Sequence, residues 1–121
     1  MQARQAIASL DRILEFFGKK GERWSPTHFE DSGGRRCILS ALNEKGDESA
    51  EHYLYRALIR NPLFEKCWPY GLPANQQRWR DGLMWFSARC GGGFKDIHEL
   101  ILAARALAQA DLARETERTA A

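Results

Sequence analysis

Between Phe94 and Ala113, Ile97, Leu100, Ile101, Ala104, Leu107 and Ala108 recur at intervals of three and four residues. That spacing puts all six on one face of a helix. An amphipathic helix must bury its apolar face, so the rest of the chain has to supply a matching surface. A second stripe does so at the other end: Ile7, Leu10, Ile13, Leu14 and Phe17 follow the same period from about Arg4 to Phe17. Gly18 and Gly21 then bracket two lysines and end that helix.

The middle of the chain divides into shorter pieces. Ser25-Pro26 reads as a cap and first helical residue of one short turn, with Trp24 and Phe29 packing it down. Cys37, Ile38, Ala41 and Leu42 mark a helix of about ten residues ended by Gly46. Asp47 or Ser49 caps the next, which carries Ala50, Tyr53, Leu54, Ala57 and Leu58 and is stopped by Asn61-Pro62. From Pro62 to Asn75, PLFEKCWPYGLPAN holds three of the four prolines and reads as a structured aromatic loop rather than one continuous helix. A helix from about Gln76 to Ala88 places Trp79, Leu83 and Phe86 on one face and Trp85 toward the other. The expected fold is an all-α, compact single domain of four or five helices over residues 1–113, with 114–121 as a frayed tail. Short strands are left open near Trp24 and Trp68.

Size and charge narrow the function classes. A chain of 121 residues with 44% hydrophobic residues buries roughly two-thirds of its unfolded surface, enough for a core without disulfides or metal. The net charge of +2, from 18 basic and 16 acidic residues, gives weak long-range attraction to nucleic acid or anionic lipid. No apolar run reaches the ~20 residues of a membrane span, and Asp11, Arg12 and Glu15 interrupt the opening MQARQAIASLDRILEFF, unlike a signal-peptide core. Cys37, Cys67 and Cys90 are odd in number and widely spaced, which reads as reduced thiols in a cytoplasmic protein.

Few residues are arranged for chemistry. GGGFKD, at the start of the last helix, offers glycines and a helix N-terminus, as a phosphate loop does. It lacks the glycine spacing and the Ser or Thr after Lys95 of such loops, and Asp96 and Glu99 already complement the helix dipole. A chain reversal fits better. Cys37 follows Arg35 and Arg36 at a helix start, both of which favour a thiolate, so a redox sensor or nucleophile there is one alternative. It also lies on an apolar face, where a buried, inert cysteine belongs. His28, His52, His98 and the three cysteines contain no pair at C-x-x-C or H-x-x-x-H spacing, so no metal site is expected. Ser40 lacks a nucleophile-elbow context. The reading is therefore of a protein that is not an enzyme and has no cofactor.

What stands out is the density of aromatics. Trp68, Tyr70, Trp79 and Trp85, with Arg78 and Arg80, are of the residue types that dominate protein interfaces. The leading expectation is a small regulatory or inhibitory module that binds another protein, or itself as a homodimer, through these six residues. The alternative is nucleic-acid binding, with Arg78, Arg80 and Arg89 on phosphates and neighbouring rings stacked on bases.

The order Trp24, GGRRCILSAL (Gly33–Leu42), Trp85-Phe86 and GFKDIHELILAAR (Gly93–Arg105) resembles a family of small helical bacterial and phage domains of unknown function. Their pattern is a Trp, a G-x-x-C-x-x-G-A-L segment, an aromatic turn with Asn-Asp, and a closing amphipathic helix. Ser40 stands here in place of the second glycine, and FSARCGGGF has no Asn-Asp. The resemblance implies a helical fold and a structural role for Cys37 and the glycine junction, in a protein of a bacterium or mobile element. It implies no activity.

Overall fold

The computed structural model describes residues 2–26, 33–71, 75–90 and 93–120. Among them the chain forms six α-helices: α1 (Gln2–Phe17), α2 (Ile38–Lys45), α3 (Glu48–Leu58), α4 (Pro62–Cys67), α5 (Gln76–Trp85) and α6 (Phe94–Ala120). A π-helical turn, Phe86–Cys90, continues directly from α5. The protein is all-α, as its periodicity requires. Near Trp24 the described residues hold one isolated bridge, Trp24 to Arg36, and no strand. The turn expected after Ser25-Pro26, with Phe29, falls largely in residues 27–32, outside the described residues.

The core is built by α1, α3 and α6, which pack on one another. Leu10, Ile13 and Phe17 meet Leu54 and Leu58 and the Ile97, Leu100, Ile101 row, all fully buried. Burying each such side chain contributes about 1.5–3 kcal/mol. Ala3, Ala6, Ala50, Ala57, Ala104 and Ala108 lie in the same core, and their small side chains let the helix axes approach. Phe17 touches Phe94, with ring centroids 5.8 Å apart, and Asp11 pairs with Arg105 at 2.7 and 3.3 Å. Rising numbers on α1 therefore meet falling numbers on α6, so the two helices are antiparallel. Farther along α6, Asp111 accepts from the Tyr53 hydroxyl and from Arg56 of α3, each at 2.7 Å.

Glycine decides the first corner. Gly18 ends α1 with φ +81°, its N–H donating to the Leu14 carbonyl at 3.1 Å. At Gly21, also left-handed, a Cβ would lie 2.3 Å from Cγ of Phe94, so the start of α6 closes against this turn only because no side chain is there.

Two helix boundaries differ from the sequence reading. Asn61-Pro62 stops nothing: α3 ends at Leu58, and Asn61 caps α4, its side-chain oxygen accepting from the N–H of Leu63 (2.9 Å) and Phe64 (3.3 Å). Pro62 is the first helical residue, where its missing N–H costs nothing. The aromatic stretch thus carries a short helix of its own. At the other end α6 runs on to Ala120 through the segment read as a tail, with Ala113, Arg114, Thr116, Glu117 and Arg118 exposed.

Of the two caps proposed for α3, Asp47 is the one used, accepting from the Ala50 N–H at 3.1 Å and from the Ser49 hydroxyl. Partial burial raises the Asp47 carboxyl, but hydrogen bonds from Ser49, Ala50 and Ser9 outweigh it and hold the group below its ordinary value. Since the folded value is the lower one, the cap's contribution is present above the unfolded value and fades as pH falls through the folded one. Asp47→Ala should cost about 1 kcal/mol at neutral pH. The difference from the parent should vanish in acid, as read by urea unfolding across pH.

Candidate interaction surface

The aromatic cluster is assembled by α4, the residues after it, and the end of α5. Phe64 anchors it. The ring is 4% exposed and its edge lies over Gly82 of α5, where a Cβ would be 3.1 Å from Cζ of the ring. Trp68 stacks on Phe64 at 5.4 Å with 21° between planes. Tyr70 meets Trp68 edge-on at 4.9 Å, and Trp85 meets Trp68 at 5.8 Å and Tyr70 at 6.1 Å. Edge-to-face contacts of this kind suit the charge distribution of the rings. The indole N–H groups are satisfied within the chain: Trp68 Nε1 donates to the Gly71 carbonyl at 2.8 Å and Trp85 Nε1 to the Cys67 carbonyl at 2.9 Å. The rings are thereby fixed in place.

The cluster is open to solvent on one side. Trp68 and Trp85 are half-buried, and Tyr70 is 51% exposed. Ile59 (41%) and Leu63 (37%) on the adjoining α3–α4 segment complete three of the four large apolar side chains that are exposed among the described residues. A cavity of about 210 Å³ lies between Ile59, Phe64, Glu65, Trp68 and Gly71. Two guanidinium groups lie over the rings: Arg78 is 4.7 Å from the Tyr70 centroid and 5.5 Å from that of Trp68, and Arg89 is 4.8 Å from that of Trp85.

The six residues singled out in the sequence do not form one site. Trp68, Tyr70, Trp85 and Arg78 come together, joined by Phe64 and Arg89. Trp79 and Arg80 belong elsewhere. Trp79 stacks on Tyr55 of α3 at 5.0 Å and 19°. Arg80 holds Glu51, with Nε at 3.0 Å from Oε1, and also donates to Asn43 at 3.0 Å. The Glu51 side chain, 7% exposed, receives in addition Gln76 Nε2 (3.3 Å to each oxygen) and the Tyr55 hydroxyl. Burial, the hydrogen bond to Glu51 and the charge of that carboxylate push the Tyr55 phenol far above its ordinary value. The network joins α3 to α5. Glu51 escaped the sequence reading, although its i,i+4 spacing to Tyr55 was visible. The arginines of the nucleic-acid alternative likewise fail to form one patch, since the Arg80 charge is compensated by Glu51.

Cys37 is fully buried, with its Sγ 3.8 Å from Sδ of Met84, and a substrate has no route to it. His28 lies outside the described residues. Among the described residues no group of three His, Cys, Asp or Glu could hold a metal, and no helix is long and apolar enough to cross a membrane. The expectation of three reduced thiols is corrected at Cys67, which is disulfide-bonded. Spacing along the chain could not reveal a pairing that folding creates, and the cytoplasmic reading loses the support those thiols gave it. No family model, curated protein or solved structure matches this chain.

Proposed function

We propose that this chain is a non-enzymatic binding module, a small regulator or inhibitor, that docks on another protein or on a second copy of itself through Trp68, Tyr70 and Trp85, which rest on the buried Phe64. One observation carries the reading. Trp68 and Trp85, each pinned by its indole hydrogen bond, and Tyr70, which meets both edge-on, are left partly open beside the exposed Ile59 and Leu63, while Phe64 beneath them is turned into the core. Rigid, partly exposed aromatics lose little entropy on binding and bury large areas, which is why they dominate contact energetics. The likeness of GGRRCILSAL and GFKDIHELILAAR to small helical domains of bacteria and phages is the ground for placing this regulator in a bacterium or mobile element.

The test is a photoreactive phenylalanine analogue at Tyr70, compared with the same group at Leu102, an exposed apolar residue of α6 (44%). In the native cell the Tyr70 probe should give one discrete cross-linked product and the Leu102 probe none. Equal patterns from the two positions, or no product from Tyr70, would contradict the reading. A product containing nucleic acid rather than protein would replace it with the alternative.

A further inference from the structure

The partner's chemistry can be read from what surrounds the rings, given that they are a docking surface as proposed above. Stacking over an aromatic face occupies the flat side of a guanidinium and leaves its N–H groups, which lie in the plane, directed outward. Arg78 and Arg89 each lie over a ring of the cluster, 4.7 Å from the Tyr70 centroid and 4.8 Å from that of Trp85. Arg78 has only a loose, exposed carboxylate neighbour, Asp81 at 3.7 Å. Arg89 is exposed and makes no ion pair among the described residues. Two incompletely paired guanidiniums beside an apolar surface match carboxylates on the incoming chain, to which each can bond through a planar fork.

The cavity sets the second requirement. At about 210 Å³ it exceeds the roughly 150 Å³ that admits a benzene ring in a protein interior. Ile59, Phe64 and Trp68 line it with apolar atoms, together with Gly71 and the side chain of Glu65. An apolar side chain belongs inside, and the Glu65 carboxylate in the lining keeps acidic groups out of the cavity. Carboxylates are thus directed toward Arg78 and Arg89.

We infer that the occupant of this surface is an acidic peptide segment that inserts one large apolar side chain between Ile59, Phe64 and Trp68 while its carboxylates engage Arg78 and Arg89. Charge complementarity selects it over a basic or neutral segment. A second copy of the chain would have to present such a segment to qualify.

The experiment uses the whole, disulfide-intact chain and four fluorescein-labelled nonapeptides: acidic with a central Phe, acidic with a central Ala, neutral (Asn and Gln) with Phe, and basic with Phe. By fluorescence anisotropy the acidic Phe peptide should bind about tenfold or more tightly than either the neutral Phe or the acidic Ala peptide. The advantage over the neutral peptide should disappear in Arg78→Gln/Arg89→Gln, a pair of exposed changes that leave the fold in place. Preference for the basic or neutral peptide overturns the inference about charge. If such a peptide is nonetheless lost on Tyr70→Ala, the docking surface itself stands. Failure of all four to bind overturns the inference, and the cross-link from Tyr70 separately decides whether the surface is used. Charge-selective binding that survives Tyr70→Ala and the arginine pair also overturns it, because the site would then lie elsewhere.

Discussion

Phe86→Ala should lower the unfolding free energy by about 3–5 kcal/mol, measured by urea denaturation. Phe86 is fully buried, at the point where α5 passes into the π-helical turn. Its backbone is helical (φ −58°, ψ −47°) and its N–H donates to the Gly82 and Leu83 carbonyls, so the backbone persists in the variant while the side chain leaves a void. The cost is therefore lost burial plus an unfilled cavity. The preceding residue is Trp85, a wall of the aromatic cluster, and the loss of its neighbour's anchor should also change tryptophan emission before global unfolding. Phe86→Leu keeps most of the volume and should cost less than about 1.5 kcal/mol, with emission close to the parent. Equal effects from the two variants would mean that packing at this position does not position Trp85.

The second large effect belongs to Arg80. Removing one member of a buried ion pair leaves the other charged and unpartnered, which costs about 3–5 kcal/mol when both are fully enclosed. Glu51 is nearly enclosed, but the Arg80 side chain is 28% exposed, so the expectation for Arg80→Ala is about 2–3 kcal/mol. Adding Glu51→Gln removes the stranded charge and should restore a large part of this, because Gln76 and Tyr55 can still bond to an amide. If the double variant is no more stable than Arg80→Ala, the loss is one of packing by the arginine stem and not of charge pairing.

These two residues also show how much of the molecule was written in its sequence. The faces of α1, α3 and α6 follow from apolar spacing alone, because a helix displays residues three and four apart side by side whatever it packs against. Leu107, assigned to the buried row of α6, is only half-buried, because it sits at one edge of the stripe whose middle is taken by the fully buried Ala104 and Ala108. The missed helix α4 has a local cause. Asn-Pro serves equally as a stop signal and as a cap followed by a first residue, and the bonds from Leu63 and Phe64 that decide between them exist only once the chain has folded.

The site was half legible. Trp68, Tyr70 and Trp85 were found because their residue types are unusual, but composition could not tell which rings meet. Arg78 and Arg80 look equivalent in QQRWRDG. On a helix they are about 200° apart, so one faces Trp68 and Tyr70 while the other faces Glu51. In sequence Arg89 reads only as a phosphate contact, and its place over Trp85 depends on the π-helical turn, for which the sequence carries no recognised signal.

On the function proposed above, the open aromatic face exists for contact and does not support the fold. The most direct test of this claim is the sedimentation of a tagged Ile59→Ser/Leu63→Ser/Tyr70→Ser chain in extract of its own cells, beside the parent chain. Because all three side chains are exposed, the variant should fold with stability within about 1 kcal/mol of the parent, while the heavier, complexed species formed by the parent disappears. An unchanged complex, or a variant that fails to fold, would contradict the claim. The first would place contact on another face, and the second would make these residues part of the core.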